Sequence, residues 1–153
     1  MIDDTQYMSQ DKKDELEKEL QNFKAHKISA IAQRIDEARQ MGDLSENAEY
    51  QAARDEMAWA QTRVIELGRL LDNAQIVGNT SGTVIQIGSV ITVKVNTKEK
   101  KYQIVGAQEA DPTLGKISNE SPLGSAFLGK KKGYMVKVIL PAGAQEYKIL
   151  DVK

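Results

Sequence analysis

Asp43-Leu44-Ser45-Glu46 sets two carboxylates three positions apart in a chain with few other groups able to do chemistry. Two readings fit that spacing. A capping residue followed three positions later by glutamate matches a capping box, whose side chains satisfy backbone N–H groups at a helix start. Alternatively, carboxylates held ~5–6 Å apart at a first helical turn can share a divalent cation or orient water. Two carboxylates alone hold magnesium poorly, because the ion keeps its waters and wants further oxygen ligands. A metal here would need a partner to supply the rest. Cysteine is absent and His26 is the single histidine, which excludes disulfides, thiol catalysis, sulfur-based zinc sites and any centre needing two imidazoles.

The elements that must position this pair are helical. From Asp11 to about Ile76 there is no proline, and Gly42 and Gly68 are the only glycines; the remainder is rich in residues that lose little on entering a helix. Ala53, Met57, Ala60, Val64, Leu67, Leu71 and Ala74 follow alternating steps of four and three, the spacing of a coiled-coil seam. Upstream, Leu16, Leu20, Phe23, then Lys27 or Ile28, then Ile31, Ile35 and Ala38 form a second seam. With Lys27 in line it contains an extra step of four, a stutter that locally unwinds a supercoil. Gly42 can end the first helix and Asp or Asn can cap the next, so the short connection predicts two antiparallel helices. A helix over 12–41 would be roughly 45 Å long, with the acidic residues at its tip.

After Ile76 the pattern changes. Gly78-Asn79-Thr80-Ser81-Gly82 reads as a linker, and β-branched alternation predicts strands over 83–87, 89–96, 101–105, 134–140 and 146–152. Residues 97–100 and 141–144 carry turn chemistry. Ser121 and Pro122 predict the cap and first position of a short helix ending by Gly129. The fold expected is therefore α+β: a two-helix antiparallel coiled coil over 1–79 and a small sheet-dominated domain over 80–153. The halves also differ in charge. Residues 1–79 carry 10 Lys plus Arg against 16 Asp plus Glu, net −6; residues 80–153 carry 11 against 6, net +5. No apolar run approaches the ~20 residues of a membrane span, and no secretory signal is evident, so a cytoplasmic protein without membrane contact is expected.

Other motifs have plain readings. Residues 124–131 nearly spell a phosphate-binding loop, but Lys131 stands where Ser or Thr must hold magnesium. Lys130-Lys131-Lys132 reads as a solvated edge, His26 as a surface residue and Trp59 as packing.

Gly42-Asp43-Leu44-Ser45-Glu46-Asn47-Ala48-Glu49-Tyr50, followed by Ala52-Ala53-Arg54, resembles the tip signature of the bacterial Gre-family transcript cleavage factors, transcription elongation factors, nearer the A type than the more basic B type. Ile117-Ser118-Asn119-Glu120-Ser121-Pro122-Leu123-Gly124, continuing through Leu128-Gly129-Lys130-Lys131, is similar to that family's C-terminal domain. The resemblance spans about Lys12 to Val152; the extension before Lys12 and the short loop over 111–115 depart from it.

The resemblance implies an FKBP-like C-terminal domain without isomerase activity, docking at the rim of the RNA polymerase secondary channel, with Ser121, Pro122, Leu123 and Gly124 as its docking residues. It implies a coiled coil that enters the channel. There Asp43 and Glu46 would help polymerase hold a second magnesium and position water, so that the polymerase cleaves backtracked RNA and makes a new 3′ end. Asn47 and Tyr50 would hold the tip. Arg39 and Arg54 would contact RNA phosphate or polymerase carboxylates, or pair intramolecularly with Glu49, Asp55 or Glu46; both readings stand. The chain would then be an activator and not itself an enzyme, its partners RNA polymerase and the nascent RNA 3′ end, with no tightly bound cofactor and magnesium only shared with the polymerase. A monomer is expected, although the same seam could join two copies. Competing functions are a channel-binding inhibitor of polymerase, a coiled-coil adaptor and, least favoured, an autonomous nuclease.

Overall fold

The computed structural model describes residues 3–44, 46–78 and 82–153. Ser45 and the centre of the expected linker, Asn79, Thr80 and Ser81, lie outside the described residues. The chain forms two compact units.

The first unit, Lys13–Asn73, is an antiparallel helical hairpin. Its first arm consists of α1 (Gln10–Asn22, beginning just before the unit), a π-helical turn (Phe23–Lys27) and α2 (Ile28–Gln40). Its second arm is α3 (Ala48–Asp72). The ambiguous seam position goes to Ile28, which is half-buried, while Lys27 is exposed and lays its ammonium 4.4 Å from the Phe23 ring centre. The Ile28 N–H donates to the Phe23 carbonyl five residues back. That closure places Ile28 on the face of Phe23, so the irregular spacing is absorbed as one wide turn rather than by unwinding. Leu16, Phe23, Ile31 and Ala38 are buried on one arm, and Tyr50, Ala53, Ala60 and Leu67 on the other. Alanines on both sides let the backbones approach. Phe23 meets Trp59 at 5.6 Å between ring centres, and Arg63 donates to both oxygens of Glu19 at 2.8 and 3.1 Å. Glu19 first and Glu66 second raise the Arg63 pKa further above its ordinary value.

The helix expected to reach Ile76 stops at Asp72. Ala74, counted on the seam, instead opens a strand: β2 (Ala74–Ile76) pairs in parallel with β1 (Gln6–Met8). Both belong to the second unit, which joins the segment ending at Lys12 to Ala74–Lys153. Residues on both sides of the hairpin in sequence thus contribute to the second unit. The hairpin is inserted between two pieces of its neighbour.

The second unit is built on a five-stranded sheet in the order β5-β4-β3-β7-β6. Its strands are β3 (Val90–Val95), β4 (Lys98–Val105), β5 (Lys116–Ser118), β6 (Met135–Leu140) and β7 (Gly143–Val152). All neighbours are antiparallel except β4 and β5. The β3–β4 hairpin turns on two residues, Asn96 and Thr97, with φ of 49° and 71°. Positive φ at both central positions matches the twist of the flanking strands.

One face of the sheet is buried: Ile91, Val93, Ile104, Val136, Val138, Tyr147 and Ile149 pack beneath α4 (Pro122–Phe127). Phe127, with no exposed surface, stands edge-on to Tyr147 at 5.5 Å. The expected strand over 83–87 is not a ladder strand. Val84 makes an isolated bridge to Lys131, and Ile85 is anchored by bonds to Gly129 and Lys130. Among the described residues, no helix is long and apolar enough to cross a membrane.

Candidate functional site at the hairpin tip

The tip begins where α2 ends. Met41 still donates its N–H to the Ala38 carbonyl at 3.1 Å, and Gly42 then turns the chain with φ +128°. Such a φ favours glycine because a Cβ would be strained there. Asp43, Leu44 and Glu46 follow as exposed, non-helical residues.

The cap of α3 is Asn47, not Asp43. The Asn47 Oδ1 accepts the Tyr50 N–H at 3.1 Å, and its Nδ2 donates to the Ala38 carbonyl at 2.8 Å. One side chain thereby satisfies an orphan donor of α3 and gives the Ala38 carbonyl, which already accepts the Met41 N–H, a second donor from the opposite arm. Asp43 meets the same residue-type rule, but α3 begins only after Asn47, whose side chain is the one that accepts from the first turn. The capping-box reading of 43–46 is thus overturned, and so is the placement of the two carboxylates on a first helical turn. Both precede the helix, in the connection.

Tyr50, three residues into α3, is 7% exposed. Arg39 from α2 and Arg54 from the next turn of α3 set their guanidinium carbons 5.9 and 5.8 Å from its ring centre. The ring is a shared platform for two cations. Hydrogen bonding to Arg39, foremost, and the added pull of Arg54 outweigh burial and hold the phenol pKa below its ordinary value. Arg39 also lies 3.8 Å from Asp36 on its own helix. The carboxylates considered from sequence were Glu49, Asp55 and Glu46; the aromatic contact escaped notice, although Tyr50 sits four residues before Arg54, a spacing at which helical side chains meet.

Asp43, Glu46, Asn47, Tyr50, Arg39 and Arg54 thus fall together at one end of the hairpin. Ser121, Pro122, Leu123 and Gly124 fall in the other unit. Ser121 caps α4 by accepting the Gly124 N–H at 3.0 Å, and its hydroxyl donates to the Ser118 carbonyl at 2.7 Å. A Cβ on Gly124 would come within 1.9 Å of that carbonyl oxygen. Ser121, Pro122 and Leu123 border an apolar recess of about 420 Å³, shared with Tyr102, Ile117 and Leu140. Residues 124–131 do not form a phosphate cradle, since Gly124 and Phe127 are buried in the helix–sheet contact. Among the described residues no group of three or more His, Cys, Asp or Glu side chains could hold a metal. Two carboxylates are too few oxygen ligands to make a complete divalent-cation site by themselves.

Comparisons with known proteins also match the chain in two parts, but part it between residues 76 and 79 rather than around an inserted hairpin. Residues 6–76 match the family model "Transcription elongation factor, N-terminal", and residues 79–153 match "Transcription elongation factor, GreA/GreB, C-term". The chain is 41% identical over 150 residues to transcription elongation factor GreA of Bacillus anthracis (strain CDC 684 / NRRL 3495), covering 95% of each protein. It is 43% identical over 142 residues to that of Thermoanaerobacter pseudethanolicus (strain ATCC 33223 / 39E), covering 90% of each. Among solved structures it is similar to GreA factor homolog 1 (Gfh1) of Thermus thermophilus, at 25% identity and TM-score 0.45, covering 97% of this chain and 99% of that one. With both units matched and curated relatives aligned along nearly their whole length, the chain belongs to the GreA/GreB family of transcription elongation factors.

Proposed function

We propose that this chain acts on RNA polymerase through its secondary channel and stimulates the polymerase's own cleavage of backtracked RNA. The observation that carries the reading is the exposed placement of Asp43 and Glu46 in the connection between two long helices. A hairpin arm of this length can carry two carboxylates deep into another protein, where they supply what that protein's site lacks. Asp43 and Glu46 would complete the coordination of a magnesium ion shared with polymerase carboxylates. The ion's chemistry there is stabilisation of the attacking and leaving oxygens of a phosphodiester. Asn47 fixes where the connection meets α3, and Arg39 and Arg54, gathered on Tyr50, present positive charge toward RNA phosphate. Ser121, Pro122 and Leu123 border the recess through which the second unit would dock on polymerase. In this scheme the chain is an activator, and hydrolysis remains the polymerase's.

The test is RNA cleavage in a stalled, backtracked polymerase complex with magnesium, comparing no factor, the intact chain, and Asp43→Asn with Glu46→Gln. Acceleration by the intact chain, lost in a variant that still binds polymerase, is the expected result. Binding without acceleration would overturn it in favour of an inhibitor; cleavage of free RNA without polymerase would make the chain a nuclease.

A further inference from the structure

Midway along the hairpin one aromatic side chain has surface left over. Phe23, 1% exposed, has two neighbours at its ring: the Lys27 ammonium, 4.4 Å from its centre, and the Trp59 ring, 5.6 Å away. Trp59 is itself 58% exposed, so the packing expected of it accounts for less than half of the residue. Among the described residues its indole N–H has no protein acceptor.

The residues around it leave the ring as the contact. Glu56, Trp59, Arg63 and Glu66 follow steps of three, four and three, a single stripe of α3. Glu56 pairs with Arg34 of α2, and Arg63 pairs with Glu19 of α1 at 2.8 Å and with Glu66 at 2.9 Å. The charges flanking Trp59 are thus matched within the hairpin itself, and the indole is the group of that stripe with apolar surface still to cover. A large exposed side chain held against a buried aromatic neighbour is the build of an interface anchor, where tryptophan is enriched.

We propose that Trp59 anchors the hairpin to the wall of the RNA polymerase secondary channel, on an apolar patch bordered by a hydrogen-bond acceptor. The inference rests on the function proposed above. Trp59 follows Ala48, the first residue of α3, by 11 positions, roughly 17 Å along a helix of roughly 38 Å. With the tip carboxylates at the polymerase's metal, the half of α3 nearer the tip lies inside the channel, and Trp59 with it. Extruded RNA fits this stripe less well. Residues Lys13–Asn73 carry 9 Lys plus Arg against 13 Asp plus Glu, net −4, and Glu56 and Glu66 lie on either side of the ring along the stripe. Set well back from Asp43 and Glu46, the ring contributes to affinity and not to the chemistry at the tip.

Trp59 is the single tryptophan of the chain, so hydroxytryptophan incorporated in its place reports that position alone when excited selectively beside polymerase. The full chain so labelled is titrated with polymerase free of nucleic acid and with a backtracked complex, and acrylamide quenching is read. Quenching is expected to fall on binding, and equally in both. Trp59→Leu keeps helix propensity and an apolar cover for Phe23. It is expected to raise the concentration giving half-maximal cleavage about tenfold, the loss of one interface anchor, at low and high salt alike, with the native maximal rate still reached at saturation. Unchanged quenching on binding, or a leucine variant equal to the native chain, overturns the proposal and leaves the tip's function standing. So does protection confined to the backtracked complex, which would give the ring to RNA, or protection that grows with chain concentration alone, which would give it to a second copy. A chain protected at Trp59 by polymerase that accelerates no cleavage overturns the functional reading instead and keeps the contact.

Discussion

Replacing Asn47 separates the two tasks of one side chain. Asn47→Ala removes the cap of α3, a loss of about 1 kcal/mol, and the bond to the Ala38 carbonyl, about 1 kcal/mol more for a neutral hydrogen bond. Together the hairpin should lose about 2 kcal/mol. Asn47→Asp keeps an oxygen for the Tyr50 N–H and places negative charge at a helix N-terminus, which is favourable, but it has no donor for Ala38 and turns a carboxylate toward a carbonyl. It should therefore recover about half of the loss. The assay is thermal unfolding followed by far-ultraviolet circular dichroism, where helices dominate the signal. In a unit the size of Lys13–Asn73, each kcal/mol corresponds to a shift of roughly 4–8 °C, so Asn47→Ala should melt roughly 8–16 °C lower. If alanine melts like the native chain, Asn47 does not join the arms. If Asp and Ala are equally destabilised, the cap contributes nothing and the Ala38 bond carries the whole effect.

The remaining predictions concern both units. Gly124→Ala should destabilise the sheet-rich unit by about 3 kcal/mol, the upper end of overpacking, because the added carbon meets backbone that cannot swing aside; Gly68→Ala, in the interior of α3 with open space around it, should stabilise the hairpin by about 1 kcal/mol. Denaturant unfolding with probes in each unit checks the opposite signs. Arg63→Ala should weaken the hairpin by about 1 kcal/mol, and less at high salt, since its pairs with Glu19 and Glu66 are partly exposed. In an ultraviolet pH titration Tyr50 should ionise before Tyr102 and Tyr147, whose phenols burial pushes up. With its folded pKa below the unfolded value of about 10, Tyr50 adds stability as pH rises through the folded value, fully present above the unfolded one and lost as pH falls. Tyr50→Phe should remove a phenolate signal that precedes those of Tyr102 and Tyr147, and loss of a signal later than theirs would contradict the arginine platform.

Much of this was legible in residue order. The seam over Ala53, Ala60 and Leu67 and the cap–proline pair at Ser121 and Pro122 are local signals, and local structure obeyed them. The irregular spacing near Lys27 marked where the helix departs from α geometry, though not that it would widen there. What escaped depended on distant partners. Strands β1 and β2 are three residues each, without usable alternation, and exist because they pair with one another across the whole hairpin. The Ser9 hydroxyl and N–H both donate to the Glu109 carboxylate, at 2.5 and 2.9 Å, and nothing near either residue announces it. At the tip the participating residues were readable, but the choice between Asp43 and Asn47 as cap was settled by the Ala38 carbonyl on the opposite arm.

The parallel pairing of β1 with β2 sets an order of events during synthesis. Strand β1 leaves the ribosome with no partner, since Ala74–Ile76 follows Met8 by 66 residues. At about 5–20 residues per second that is a wait of roughly 3–13 s. The hairpin needs only its own contacts to form, and helix pairs close in far less time than that. Its folding shortens the effective loop between the two strands, which lowers the entropy lost when they meet. Gly106 then admits the Tyr7 carbonyl at a position where a Cβ would lie 1.6 Å from its oxygen. Strand β1, made before the hairpin, is thus fixed after it, and a hairpin slow to close would leave that strand unpaired for longer.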